Sequence, residues 1–254
     1  MRTLYPIGRS FLAISIAFFG LQYLLYGHFV GGLLPVPPWA PGGRPGAYLA
    51  GLLLIATGVG LLLSAYARLS ALIIGVFFLA CVFLLHTWHL HSVLYDGTDR
   101  TRALEPLALG AASLVLAAML SSDWPKANNG SARMLSHMGR VLFALCLLVF
   151  GWQHFLYATF IKTLIPAWIP GHLFWTYFTG VAFIAVGLAL IVRIAATPGS
   201  LLLGLMFLLW FLLLHIPRVV ADYRNGDEWS SAFVALAMCG ACWIMAALPK
   251  SSRA

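Results

Sequence analysis

Long uncharged stretches dominate the chain, and the short segments between them carry its charged residues. The eight stretches are Ser10 to Gly43, Pro45 to Ala67, Leu69 to Tyr95, Pro106 to Ser122, Val141 to Ile161, Thr163 to Val192, Ile194 to Pro217 and Trp229 to Pro249. Each can hold one bilayer-spanning helix, which needs about 20 apolar residues. None shows the alternating pattern of barrel strands, and in lipid only helices or closed barrels satisfy their own backbone groups. The pattern predicts an all-α membrane protein with eight transmembrane helices.

Composition agrees with this prediction and excludes a soluble protein. Of the 254 residues, 62% are hydrophobic and only 9% are charged, with a mean hydropathy of +0.94. A soluble domain needs far more polar surface than this chain offers.

The basic residues predict how the helices are oriented. If the N-terminus is cytoplasmic, the segments on that side hold nine Lys and Arg residues against one acid, whereas the other side holds six against six. Because cytoplasmic loops are enriched in Lys and Arg, both termini are predicted to be cytoplasmic. The net charge of +8 then faces anionic lipid headgroups, so the bilayer is the expected partner and nucleic acid is not.

An internal repeat relates the two parts of the chain. A shift of 129 residues places PPWAPG (37–42) on PAWIPG (166–171), and a shift of 131 places FGLQYLLYGHF (19–29) on FGWQHFLYATF (150–160). Since each unit has an even number of helices, both units enter the membrane in the same orientation. The repeat predicts two parallel four-helix bundles, with both termini on one side.

The polar stretch between the units predicts the domain boundaries. We expect a first repeat at 1–122, a cytoplasmic linker at 123–137 and a second repeat at 138–254. They are called the first half, the linker and the second half below.

Most of the unusual polar residues are predicted at the outer ends of the helices, and several are duplicated. Gln22 and Tyr26 share one face of the first helix, and the second half repeats this spacing. Aromatic residues of the next loop and helix and a histidine of the third helix complete each set. The candidate ligand-binding residues are Gln22, Tyr26, Trp39, Tyr48 and His86, with Gln153, Tyr157, Trp168, Tyr177 and His215.

Aromatic walls with Gln, Tyr and His donors suit a flat, apolar molecule that carries carbonyls, such as a quinone. Histidine would then exchange the proton. The alternative is that these polar groups hydrogen-bond one another and hold the bundle together, as a structural subunit requires. A carrier of a small lipid-like molecule is a third interpretation. The chain has no self-contained catalytic motif, so redox chemistry requires a partner protein, and further copies of the chain are another expected partner.

Two other motifs have weaker interpretations. The sequence HTWHLH, with His86, His89 and His91, suggests a metal or haem site, but only His86 is duplicated in the second half. Cys239 and Cys242 form a CxxC sequence that suits a redox pair, but an apolar helix disfavours the thiolate. Partly interfacial histidines and buried thiols are the preferred interpretations.

The FGxQ sequence of the first helix, the PxWxPG loop and the glycine-punctuated second helix of each half resemble the DoxX-like family of small bacterial membrane proteins, here as a tandem pair. The resemblance covers nearly the whole chain. It implies one four-helix membrane bundle per unit, a bacterial cytoplasmic membrane, and a link to quinone-dependent systems through thiosulfate:quinone oxidoreductase subunits. One departure is that family members often carry a glutamate in the second helix, where this chain has Leu54 and Ile55, or Phe183 and Ile184.

Overall fold

The computed structural model describes residues 4–34, 36, 43–86, 90–121 and 130–249. Trp39 and His89, two of the candidate residues, lie outside these ranges, as do residues 123–129 of the linker. Residues 130–137, predicted as linker, are helical and begin the first long helix of the second half. The described residues are helical, without strands, and eight of their helical segments are long and apolar enough to cross a membrane. The predicted all-helical membrane architecture is confirmed.

The first half contains α1 (Leu4–Tyr26), α2 (Gly43–Leu62), α3 (Ala67–His86), the short α4 (Leu90–Tyr95) and α5 (Gly97–Met119). The second half contains α6 (Gly130–Leu156), the short α7 (Ala158–Ile161), a 3₁₀ turn (Lys162–Leu164), α8 (His172–Val192), α9 (Ala196–Trp210), a π turn (Phe211–His215), α10 (Ile216–Ala221) and α11 (Gly226–Ala246). The segment from α9 through the π turn to α10 forms a single span.

Helix packing joins the two halves through their first and last helices. In the first half α1 packs against α2, and α3 packs against α5; in the second half α6 packs against α8, and α9 packs against α11. The first helix of each half also packs against the last helix of the other half, so that α1 meets α11 and α6 meets α5. The sequence predicted four-helix units. In the described residues, the first and last helices pack across the two halves, so the halves are not two separate bundles.

Matched glycines allow these helices to approach each other closely. A Cβ added at Gly20 would lie 2.4 Å from the carbonyl oxygen of Gly51, and one added at Gly151 would lie 2.7 Å from that of Gly180. Small residues let helix backbones touch in membranes, where lipid tails provide no hydrophobic driving force between helices. The repeated glycines seen in the sequence therefore occupy equivalent contacts between the first and second helix of each half.

Equivalent arginines cap the second helix of each half. Arg9 Nη2 donates to the Leu62 carbonyl at 3.4 Å, and Arg140 Nη1 donates to the Ile191 carbonyl at 3.3 Å. Cations stabilise helix C-termini because unpaired carbonyls carry partial negative charge there. The end of the bundle where these contacts lie is called the arginine end below.

Equivalent caps also begin the last helix of each half, at what is called the mixed-charge end below. The side chain of Asp96 accepts from the backbone N–H of Thr98, and that of Asn225 accepts from the backbone N–H of Asp227. Such N-caps each contribute about 1 kcal/mol to helix stability.

Candidate functional site

The duplicated glutamines lie between the two halves. Gln22 Nε2 donates to the Gly226 carbonyl at 3.0 Å, and Gln22 Oε1 accepts from the Ser230 hydroxyl at 3.2 Å. Gln153 Nε2 donates to the Gly97 carbonyl and to Thr101 Oγ1, both at 3.1 Å. Each glutamine thus joins the first helix of one half to the first turns of the last helix of the other. We call these two contacts the glutamine clasps.

The tyrosines one turn later belong to the same contacts. Tyr26 donates to the Arg224 carbonyl at 3.4 Å, and the Tyr157 ring covers Gly97, where an added Cβ would lie 2.6 Å from the ring. The glutamine and the tyrosine that share one face of the first helix in each half therefore pack against the other half.

The remaining candidate residues do not gather around the clasps. Tyr48 covers Gly27, whose φ is +67°, while Tyr177 stacks on Phe155 with ring centres 5.5 Å apart. Trp168 is 65% exposed. His86 is buried at the end of α3, and His215 lies at the end of the π turn. The structure consequently does not join the nine candidate residues that it describes into one pocket per half.

Each half instead has a different side chain next to its glutamine, and this position was missed in the sequence. His154 stands where Tyr23 stands in the first half, under the same 131-residue shift. Tyr23 is fully buried and packs edge-on against Phe29. His154 is only partly buried, and its Nδ1 lies 2.8 Å from the Phe150 carbonyl. Because a carbonyl only accepts, Nδ1 carries the proton and neutral His154 keeps its lone pair on Nε2.

Aromatic rings surround His154. Its ring centre lies 5.2 Å from that of Phe183 and 6.3 Å from that of Trp210, to which it is nearly parallel at 21°. Phe207 joins them, 5.5 Å from both Phe183 and Trp210. We call these four residues, His154, Phe183, Phe207 and Trp210, the ring cluster. In the first half, Leu54, Phe78 and Cys81 stand in place of Phe183, Phe207 and Trp210. Of these three positions, only that of Phe78 keeps an aromatic ring.

The π turn follows the ring cluster directly. Pro217 has no N–H to give to the carbonyl of Leu213, and the Ile216 N–H bonds instead to the Phe211 carbonyl, five residues back. This wider turn brings His215 to about one turn beyond Trp210, with a buried Nδ1 that has no hydrogen-bond partner among the described residues. Turns of this type are enriched at functional sites in helices.

The mixed-charge end of the second half also contains an ion pair. Arg218 Nη2 lies 2.7 Å from Glu228 Oε1, with side chains 36% and 19% exposed. Partial exposure limits its contribution to stability.

Among the described residues, no group of three His, Cys, Asp or Glu side chains is placed to hold a metal ion. His91 is exposed beside Tyr95, 4.6 Å between ring centres. Cys239 and Cys242 are buried free thiols in α11.

Two apolar surface grooves lie away from the ring cluster. One, of about 380 Å³, lies between α1, α2 and α11 around Ala17, Gly58 and Phe233. Another of similar volume lies between α2 and α3 around Leu53 and Val76. Neither offers a hydrogen-bonding side chain, so both suit the acyl chains of lipid rather than a ligand with carbonyls.

Comparison with known proteins gives one partial match. A family described as a domain of unknown function, DUF8561, matches residues 143–247. These residues run from α6 to the end of α11 and contain the ring cluster, the π turn and one glutamine of the clasps. No curated protein and no solved structure matches the chain.

Proposed function

We propose that the protein is an accessory subunit of a membrane redox system that binds a quinone in its second half. The observation that carries this proposal is the His154 side chain, whose Nδ1–H is committed to the Phe150 carbonyl and whose ring lies among the rings of Phe183 and Trp210. A hydrogen-bonding nitrogen among apolar rings is what a flat ligand with ring oxygens requires.

The tautomer of His154 selects the form of the ligand. The lone pair on Nε2 accepts a hydrogen bond, which a hydroquinone hydroxyl can donate and a quinone carbonyl cannot. The ligand ring would pack beside Trp210 and Phe183, and it would arrive from the bilayer past the exposed, stacked rings of Phe155 and Tyr177. Neutral His154 therefore favours the reduced form, and His215 offers a second ring nitrogen one turn beyond Trp210.

The resemblance to the DoxX-like family supports the same proposal, because it implies an association with quinone-dependent redox systems. A partner protein would then supply or accept the electrons. The equivalent glycine, glutamine and arginine contacts support two parallel repeats. The distribution of basic residues supports cytoplasmic termini, and the resemblance to the DoxX-like family implies a bacterial cytoplasmic membrane.

Quinone binding is tested with purified protein in detergent. Organic extraction and mass spectrometry should find a bound quinone, and a short-chain hydroquinone should bind in equilibrium dialysis. His154→Tyr, which installs the first-half residue, should weaken binding about tenfold, because it removes a hydrogen bond from a buried hydroxyl, a loss of about 1.4 kcal/mol. Tyr23→Phe, at the equivalent position of the first half, is the matched control and should leave binding unchanged.

Protein that carries no quinone and binds none would rule the proposal out. So would equal hydroquinone affinity in the wild-type protein and in His154→Tyr.

A structural or scaffold subunit is the second candidate function. The glutamine clasps favour it, because Gln22, Gln153 and Tyr26 already use hydrogen bonds within the protein. A scaffold would carry no small molecule through purification, and substitutions in the ring cluster would then change only stability. A carrier of lipid-like molecules would release its bound molecule to acceptor vesicles, which the same purified protein can test before extraction.

A further inference from the structure

Arg140 is a buried positive charge that no carboxylate among the described residues balances. Its side chain is 7% exposed, and Nη1 donates to the carbonyls of Leu190 and Ile191. The six acidic residues that the structure describes all lie toward the mixed-charge end: Asp96, Asp99, Glu105, Asp222, Asp227 and Glu228. A helix C-terminus supplies about half a negative charge, which offsets only part of a guanidinium. Buried charges are normally paired, and the part of the chain that the structure describes provides no counter-charge for Arg140.

Arg193 increases this excess. It lies close enough to Arg140 for the two positive charges to repel each other, and its Nη2 donates to the Pro249 carbonyl at 2.9 Å. Its backbone is left-handed, with φ of +61°, at the end of α8. This position usually takes glycine, because a Cβ makes the left-handed conformation unfavourable. An arginine held in a strained conformation beside another arginine indicates a role for its side chain.

His137 completes the arrangement. Its Nδ1 lies 3.0 Å from Arg140 Nη2. Arginine only donates, so Nδ1 must accept and the ring carries its proton on Nε2, where it is a further donor. The side chain of His137 is exposed, so this donor is accessible from the membrane surface.

We infer that Arg140, Arg193 and His137 form a binding site for the phosphate group of an anionic phospholipid at the arginine end of the second half. A phosphodiester carries a single negative charge, which the described residues around Arg140 do not supply, and several acceptor oxygens. The location at a helix end suits a headgroup, and basic pockets between spanning helices are known to bind lipid phosphates. The inference does not depend on quinone binding.

The first half provides the internal comparison. Arg9 makes the equivalent contact with the carbonyl of Leu62, but Ser64 stands in place of Arg193 and Pro6 in place of His137. Ser64 is not in the left-handed conformation that Arg193 adopts. The site therefore belongs to the second half alone.

Native mass spectrometry of the full-length protein in detergent tests the inference. Phosphatidylglycerol should bind one tightly retained copy, and phosphatidylcholine should not. Arg193→Gly should fold, because glycine takes the left-handed conformation without strain, and should weaken phosphatidylglycerol binding about fivefold, the effect of one arginine near a membrane surface. Arg68→Ala, which removes an exposed arginine from the same end of the bundle, is the charge-matched control and should bind like the wild type.

Three results would overturn the inference. They are equal retention of both lipids, unchanged phosphatidylglycerol binding in Arg193→Gly, and an equal loss in Arg68→Ala, which would indicate general surface charge. Inorganic phosphate is tested as a competitor: failure to displace the lipid supports a headgroup site, whereas displacement at low millimolar concentration would show a site for a free anion instead.

Discussion

The two halves share the residues that hold helices together and differ in the residues around two candidate sites. Glycines, clasp glutamines and capping arginines recur in equivalent contacts. Beside them, Tyr23 and Cys81 of the first half become His154 and Trp210 of the second, and Ser64 becomes Arg193. Identity between the repeats thus marks helix contacts in this protein, while the differences lie at the two sites proposed above.

The shared glycine contacts carry the largest expected effects. Gly20→Ala and Gly151→Ala should each lower the free energy of unfolding by about 3 kcal/mol, because the added Cβ meets a helix backbone and forces the helices apart. Thermal unfolding followed by circular dichroism in detergent measures this. Gly31→Ala, with no atom within 4 Å of the added Cβ, is the control. If one of the two substitutions left the unfolding free energy unchanged, the two packing interfaces would not be equivalent.

The glutamine clasps should differ in strength. Gln22→Leu should cost about 1 to 2 kcal/mol in unfolding free energy, because two hydrogen bonds are lost and Ser230 loses its acceptor. Gln153→Leu should cost less, since it also removes a buried Oε1 that has no partner among the described residues. The same unfolding measurement compares them, and a larger loss at Gln153 would contradict this ranking.

The ring cluster should affect binding more than folding. Trp210→Cys, which installs the first-half residue, should weaken hydroquinone binding about fivefold, because an aromatic contact contributes about 1 kcal/mol. Equilibrium dialysis detects the change without using tryptophan fluorescence. Trp168→Cys removes an exposed tryptophan from a loop and should have no effect; equal losses in the two variants would show that the ring cluster is not the site.

The Arg218–Glu228 ion pair should matter least. Arg218→Gln should change the unfolding free energy by less than about 1 kcal/mol, because both side chains are partly exposed and water screens the pair. The difference should shrink at high salt. Unfolding at low and high ionic strength measures it, and a larger, salt-independent loss would mean that the pair is shielded from solvent.

The sequence predicted the spans, since hydrophobic length is a local signal, and the glycines matched by the repeat lie at the close helix contacts. It also placed Gln22 and Tyr26 on one helical face, and both do contact the residues at the start of α11. It could not tell that the partner helix belongs to the other half. Two parallel repeats can pair the first and last helices within or between units by the same side-chain contacts, and only the fold distinguishes them.

His154 was missed for a related reason. The alignment of FGLQYLLYGHF with FGWQHFLYATF places it opposite Tyr23. The candidate residues are those that both halves share, and the two halves differ at this position. The glutamine and tyrosine found in the first helix of both halves turned out to occupy helix interfaces, where either repeat needs them. The positions that distinguish the two halves are those where histidine replaces tyrosine, in α6 against α1, and tryptophan replaces cysteine, in α9 against α3.

The most direct test of a binding site in the second half is photoaffinity labelling with an azidoquinone, followed by peptide mapping. The label should be found on peptides of α6 and α9 that contain His154 and Trp210, and excess unlabelled hydroquinone should suppress it. Equal labelling of the α1 and α3 peptides that contain Tyr23 and Cys81, or labelling that no competitor reduces, would contradict the division between the two halves.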